Sequence, residues 1–197
     1  MNKIKILALF GESASGKDTI QKWIVSHHKD TKSIISCTTR PKRDYEIPGI
    51  DYFFLNDAEF ATKVLDGSML EATCFRNWFY GTPIDVLDEN KLNVGVFNPE
   101  GIEALLADGR LTVLPVWVKA SPKTRLLRSL KREKNPDCRE ICRRFIESDI
   151  PDFANIDFRH ITLKNDKKLD KRTINYLVKN FDAFIIEPST DSESMTK

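Results

Sequence analysis

Apolar residues follow two rhythms along this chain, one for buried strands and one for helices with a single apolar face. Ile4, Ile6, Leu7, Ala8, Leu9 and Phe10 form a nearly continuous apolar run, the pattern of a strand covered on both sides. The glycine-bearing turn Gly11 to Gly16 leads into Lys17 to His28, where Ile20, Trp23, Ile24 and His27 recur at helical spacing and predict an apolar inner face. Ser33 to Cys37 reads as a short strand. Asn56 and Glu59 have the form of a capping box ahead of Phe60, Val64 and Leu65, and Asp66-Gly67 closes that helix.

Met69 to Phe75 predicts a strand, and Thr82-Pro83 supplies an N-cap and first-turn proline for a helix reaching about Lys91. The same signal recurs at Asn98-Pro99, after a strand over Asn93 to Phe97, and at Ser121-Pro122, after the strand Leu111 to Val118; Gly109 ends the first of these helices. Arg125 to Asp149 is a basic helical stretch broken near Asn135-Pro136, Phe158 to Leu163 a last strand, and Leu169 to Asn180 a last helix. Glu187 to Lys197 is polar, and disorder is expected there. Strand and helix alternate as in a parallel α/β sheet. The charged, turn-rich segment TTRPKRDYEIPGIDYFF, Thr38 to Phe54, interrupts that alternation.

Composition narrows the function classes. At 197 residues the chain is sized for one domain with inserted subdomains. With 31 basic and 29 acidic residues, a formal net charge of +2 gives no global drive toward nucleic acid or membrane. Cys37, Cys74, Cys138 and Cys142 contain no C-x-x-C pair, and no secretory leader is expected, so reduced thiols and a cytoplasmic setting are the expectation. Cys138 and Cys142 share a helix face but make a poor zinc site without further ligands. No apolar run approaches the ~20 residues needed to span a bilayer.

The candidate chemistry starts at GESASGKDT, Gly11 to Thr19. A glycine-rich turn between a buried strand and a helix lets backbone N–H groups and the helix N-terminus face an anion, and Lys17 then reaches outer phosphates as a point charge. Gly11, Glu12, Ser13, Ala14, Ser15, Gly16, Lys17, Asp18 and Thr19 are thus the candidate residues for the phosphates of a nucleoside triphosphate. The hydroxyl expected directly after the lysine is absent: Asp18 stands there and Thr19 is displaced by one. A simple Gly/Ser connection is the plainer account of the same residues. Further on, Arg40 and Arg43 flank a proline-stiffened turn and are suited to gripping a monophosphate through charge-assisted hydrogen bonds, with Tyr52 and Tyr80 as neutral donors. An isolated R-x-x-R is also what a solvated charge cluster offers.

The run SCTTRPKRDYEIPGIDYF, Ser36 to Phe53, together with Glu71, FYGT at Phe79 to Thr82, the glycine-rich loop, a basic lid and Asn165-Asp166, resembles the guanylate kinase family over nearly all of the chain except the tail. The resemblance implies a P-loop NTPase-type parallel sheet flanked by helices, a small mostly β NMP-binding insertion and a helical lid. The expected division is a core of about 1–35 and 93–186, with a lid of about 125–150, an insertion of about 36–92 and a tail of 187–197. It implies that Arg40, Arg43, Tyr52 and Tyr80 bind the acceptor phosphate while Ser36, Glu71 and Thr82 face guanine. A carboxylate at Glu71 accepts from guanine N1–H and the exocyclic amino group, a donor pair adenine lacks.

Lys17, Arg128, Arg132 and Arg144 are the implied transition-state cations, with Arg125, Arg139 and Arg143 competing for those places, and a solvated basic helix is the alternative account. Asn165 is implied to lie near adenine, and a helix N-cap explains Asn165 or Asp166 equally well. The implied reaction transfers phosphate from ATP to GMP or dGMP with Mg2+ as cofactor, in a soluble monomer or homodimer without nucleic-acid or membrane partners.

The chain departs from the family where acidic residues end the strand at Asn93 to Phe97: Val96 and Asn98 occupy their places. Asp18 is the expected substitute ligand for magnesium, and Asn98 is an acceptor-base contact or the cap before Pro99. Two rivals accompany this reading: a monophosphate kinase with another acceptor base, and a non-catalytic guanylate-kinase-like module that binds protein.

Overall fold

The computed structural model describes residues 3–44, 46–75, 77–132, 136–143, 145–146, 153–167 and 169–186. The first strand, β1 (Ile4–Phe10), is the centre of a five-stranded sheet in which every neighbouring pair is parallel. Its partners are β7 (Leu92–Val96) and β8 (Leu111–Lys119), with β2 (Thr31–Ser33) and β9 (Ile161–Lys164) at the edges.

The apolar run of β1 divides by strand alternation between two cores. Leu7 and Leu9 join Ile20 and Ile24 of α1 (Lys17–His27), with Ile174 and Leu177 of the later helix α6 (Lys171–Lys179). Ile6, Ala8 and Phe10 join Ile102 and Leu105 of α3 (Pro99–Ala107) on the other face. Because β1 is flanked by β7 on one side and β8 on the other, the loop after it opens into the crevice where strand order reverses, the usual ligand position in such sheets.

A second, four-stranded sheet holds β4 (Phe53–Phe54), β3 (Cys37–Thr38), β6 (Trp78–Pro83) and β5 (Met69–Phe75) in that spatial order, with α2 (Asp57–Leu65) packed on β5 and β6. The capping box at Asn56 and Glu59 is formed. Two short helices follow β8: α4 (Pro122–Arg132) and α5 (Cys138–Arg143). The final helix, α7 (Phe181–Ile186), follows α6 after one residue. Among the described residues no helix is long and apolar enough to cross a membrane. The tail from Glu187 lies outside the described residues.

Several local expectations are corrected. Ser33 to Cys37 is not one strand: Ser33 ends β2 in the main sheet and Cys37 begins β3 in the second, while Ile34 N–H donates to Val94 O and residues 34–36 carry the chain across. Thr82-Pro83 does not open a helix, because both residues complete the β5–β6 hairpin opposite Glu71 and Met69. The Thr82 hydroxyl is spent on Glu71, and only a single 3-10 turn, Ile84–Val86, follows.

His27 is exposed and stacks on Trp23, and the buried polar residue of α1 is Gln21, whose amide donates to Ser33 Oγ, Ile34 O and Val94 O. The last strand begins at Ile161, not Phe158, which packs as an aromatic on Phe10. The helix read over Leu169 to Asn180 starts later, with Asp170 as its cap.

Gly11 shows how tightly the loop is seated. Its φ of +142° is one that side chains rarely adopt, and a Cβ there would stand 2.3 Å from the carbonyl oxygen of Val118 in β8. Gly11→Ala is expected to destabilise the protein by roughly 2–4 kcal/mol, from backbone strain and displacement of a central strand. Chemical denaturation measures this, and a change below about 0.5 kcal/mol would contradict the packing.

Candidate active site

The loop from Gly11 to Gly16 turns on two residues of positive φ besides Gly11, Ala14 at 60° and Gly16 at 103°, and Gly16 sits at the N-cap of α1. That conformation leaves the first amides of α1 facing the crevice, a ready anion site. Lys17 Nζ lies over the loop, donating to Gly11 O at 2.6 Å and Glu12 O at 3.1 Å.

The lower side of the loop is clamped. Asn165 donates from Nδ2 to Ser15 O at 2.7 Å, and a Cβ on Gly16 would meet the same amide at 2.4 Å. Arg128 donates to Ser15 O and to Asn165 O. Arg125, buried in α4, donates to Ser13 O and lies over the Phe145 ring. Glu12 accepts from the Trp117 indole, so its carboxylate is tied to β8. Ser15 is fully buried, whereas Asp18 and Thr19 are exposed on the first turn of α1. Asp166 accepts from Ser121 N at 2.6 Å and fixes the entry to α4.

Facing this loop is a group of basic and phenolic side chains from the second sheet and its connection. Arg40 is held by Glu46 at 2.7 Å and lies against the rings of Tyr52 and Phe54. Glu46 is buried, and it also accepts from the Arg43 amide and stands 3.6 Å from the Arg43 guanidinium. Burial alone would raise the Glu46 pKa, but the hydrogen bonds from Arg40 and Arg43 outweigh it and hold the carboxyl below its ordinary value. For Arg40, burial works against the charge and Glu46 more than restores it. Tyr52 stacks edge-on to Tyr80, and desolvation, then the charge of Asp18, keeps its phenol neutral. Glu46 went unassigned in the sequence reading. Its place three residues after the second arginine in R-x-x-R-x-x-E was the available signal, since two neighbouring cations need an anion to be held together.

At the far end Glu71 projects from β5 with 8% exposure. Its Oε1 accepts from Thr82 Oγ1 at 2.7 Å, and Thr82 is in contact with Ser36 Oγ at 3.3 Å. Desolvation raises the Glu71 pKa to about 7; the Thr82 hydrogen bond opposes the rise and the charge of Glu100 adds to it. Asn98 caps α3 by accepting from Gly101 N, and its amide nitrogen donates to Thr73 Oγ1. Both uses of Asn98 are structural ones.

A single cavity of about 280 Å³ runs along these groups, reached by Gly11, Lys17 and Asp18 at one end, Arg40, Arg43, Tyr52 and Tyr80 between, and Glu71, Ser36 and Asn98 at the other. Thr82 lies behind Glu71, while Arg132 borders this cavity and Arg128 an adjoining groove that continues along α1 past Thr19. Arg144 lies outside the described residues. Among the described residues no three His, Cys, Asp or Glu side chains cluster as a metal cage. Of the carboxylates lining the cavity, Asp18, Glu71 and Glu140, Asp18 is the one on the first turn of α1, next to Lys17. One carboxylate together with ligand phosphates and water is a set that suits magnesium.

Comparison with known proteins follows the same outline. A family model described as guanylate kinase matches residues 3–173. Guanylate kinase of Mycoplasma genitalium is 32% identical over 183 residues, 89% of this chain and 74% of that protein. Guanylate kinase of Mycoplasmoides gallisepticum is 28% identical, over 82% of this chain and 84% of its own. The crystal structure of guanylate kinase from Anaplasma phagocytophilum superposes with a TM-score of 0.66 over 94% of this chain and 89% of that one, at 18% identity, which shows a shared fold.

The raised pKa of Glu71 has a stability consequence with a definite sign. Its folded value lies above the ordinary 4.5, so the folded state keeps a proton the unfolded chain releases, and stability falls as pH rises from about 4.5 to about 7. Glu71→Gln is expected to flatten that part of the profile and raise the Tm at pH 8. A Tm–pH curve unaltered by the substitution would contradict burial as the cause.

Proposed function

The chain belongs to the guanylate kinase family, catalysing the ATP-dependent phosphorylation of GMP, and we propose that its cavity divides the two substrates between the glycine-rich loop and the second sheet. The observation that carries this division is one cavity joining Lys17 to Glu71 by way of Arg40, Arg43, Tyr52 and Tyr80. Gly11 to Thr19 cradle the ATP phosphates with backbone amides, and Lys17 moves from the loop carbonyls to the transferring phosphate. Arg40 and Arg43, held by Glu46, take the phosphate of GMP or dGMP with Tyr52 and Tyr80. The ionised Glu71 accepts from guanine N1–H and the 2-amino group, with Ser36 and Thr82 behind it.

Phosphoryl transfer asks for alignment and neutralisation of charge on the moving group. Arg132, with Arg144, supplies cations from the lid. Arg128 acts chiefly through the loop, since its guanidinium is engaged by Ser15 O and Asn165 O. Asn165 likewise serves ATP by holding Ser15, leaving adenine to lie along the same segment. Lid closure over the acceptor excludes water and so favours transfer over hydrolysis. Magnesium, held by Asp18 and the phosphates, neutralises charge on the triphosphate when bound. Asn98 contributes to the acceptor pocket through Thr73.

A coupled assay of ADP formation with ATP, Mg2+ and a panel of GMP, dGMP, AMP, dTMP and dCMP tests this reading. GMP and dGMP are expected to exceed the other acceptors. Glu71→Gln should lower kcat/KM for GMP by about a hundredfold, as two hydrogen bonds to a charged group are lost or reversed. The KM for GMP of the wild type should rise as pH falls below about 7, because the neutral carboxyl of Glu71 cannot accept both hydrogens. Faster turnover of dTMP or dCMP would overturn the role of Glu71. Asp18→Asn should weaken the response to magnesium, and an unchanged dependence would remove Asp18 from the metal.

A further inference from the structure

The direction of each hydrogen bond around Glu71 can be read from its partners, and it leaves the hydroxyl proton of Thr73 unaccounted for. Thr82 gives its hydroxyl proton to Glu71 Oε1, so the proton in the Ser36–Thr82 contact comes from Ser36. Ser36 therefore presents lone pairs to the cavity, and Glu71 presents carboxylate lone pairs. On this side the base pocket is entirely an acceptor of hydrogen bonds.

Asn98 reverses the polarity two residues along β5. Its Oδ1 accepts from Gly101 N at 2.7 Å, which fixes the amide orientation because the nitrogen cannot accept from an N–H. Nδ2 is then the donor in the 2.8 Å contact with Thr73 Oγ1. Thr73 is buried, lines the cavity, and has its hydroxyl proton left over, with no acceptor for it among the described residues. Thr73 and Glu71 point to the same face of β5, since strand side chains alternate, and both stand beside the first turn of α3.

We propose that Thr73 is a specificity-determining residue of the acceptor site, donating its hydroxyl proton to the ring acceptor beside the donor edge that Glu71 reads, with Asn98 as its positioning residue. The inference rests on the assignment of guanine to Glu71. Guanine carries acceptors at both flanks of its N1–H and amino pair, O6 on one and N3 on the other. A pocket offering acceptors from Ser36 and Glu71 and a hydroxyl donor from Thr73 matches that sequence of groups. Asn98 fixes the Thr73 rotamer by occupying a lone pair, so the proton is directed away from α3 and into the cavity. The unusual residue at the end of β7 thus acts on the base indirectly.

The test compares wild type, Thr73→Val and Thr73→Ser with GMP, 3-deaza-GMP and 6-thio-GMP in steady-state turnover, with the Tm of each variant. Thr73→Val, nearly isosteric, is expected to raise KM for GMP about tenfold with kcat within about twofold, the loss of one hydrogen bond. Thr73→Ser should restore most of it. The Val penalty should disappear with one analogue, 3-deaza-GMP if the bond is to N3 or 6-thio-GMP if it is to O6. A KM for GMP within about twofold of wild type in Thr73→Val, no rescue by serine, or an undiminished penalty on both analogues would overturn the role of Thr73. The wild-type preference for GMP over AMP, read in the same assay, separates the two levels: if it is absent the guanine assignment itself fails, and if it is present with an unaffected valine variant only Thr73 is wrong.

Discussion

A carboxylate that is almost entirely withdrawn from water, with a single hydroxyl donating to it, is the constraint around which the second sheet of this protein is arranged. Glu71 keeps 8% of its exposure and accepts from Thr82. Burying a charge is unfavourable unless partners replace water, and here the replacement is partial, which is why its pKa rises to about 7. The β5–β6 register places Thr82 opposite Glu71, Ser36 arrives from the main sheet to support Thr82, and the first turn of α3 carries Gly101, where a Cβ would stand 2.9 Å from Asn98 Oδ1 and 3.2 Å from the Glu71 carboxylate. The remaining hydrogen-bonding capacity of Glu71 is what, in the proposed function, a base with two adjacent donors completes. Stability is given up in the unliganded state and recovered as recognition, the usual relation between strained or charged sites and function.

The donor half shows a different use of charge. Several basic side chains that would ordinarily be read as catalytic are structural members: Arg125 and Arg128 hold the loop through its carbonyls, and Asn165 joins them from the end of β9. The loop is thereby pre-shaped from the lid side as well as by Gly11 against β8. Arg40 is similarly oriented by Glu46, so the acceptor cations are presented by an anion and not merely tolerated.

Much of this was legible in the order of residues. The apolar run of β1, the glycine-rich turn and the Asn-Pro cap of α3 are local signals, and local signals survive folding. What failed was local chemistry overridden by a distant partner. Thr82-Pro83 has the form of a helix start, yet β5 across the hairpin claims Thr82 for Glu71. Ser33 to Cys37 is apolar enough for one strand, yet the chain must change sheets there. His27 fits the helical period but lies outside, and Gln21, which does not fit, is buried where three acceptors, from β2, the residue after it and β7, converge on it. At the site, residue types with strong individual chemistry were readable, whereas Glu46 and Thr73 matter through the neighbours that orient them, which only the three-dimensional contacts reveal.

The central claim is that the Glu71 carboxylate is completed by the donor edge of guanine, and its own titration tests that most directly. Carbon-13 NMR of the labelled Glu71 side chain, followed against pH, should give a midpoint near 7 in the free protein. Saturating GMP should move it down into or below the ordinary carboxylate range, because two donated hydrogen bonds favour the ionised form, while AMP should leave it in place. A Glu71 midpoint that GMP does not lower, or that AMP lowers equally, would contradict the account.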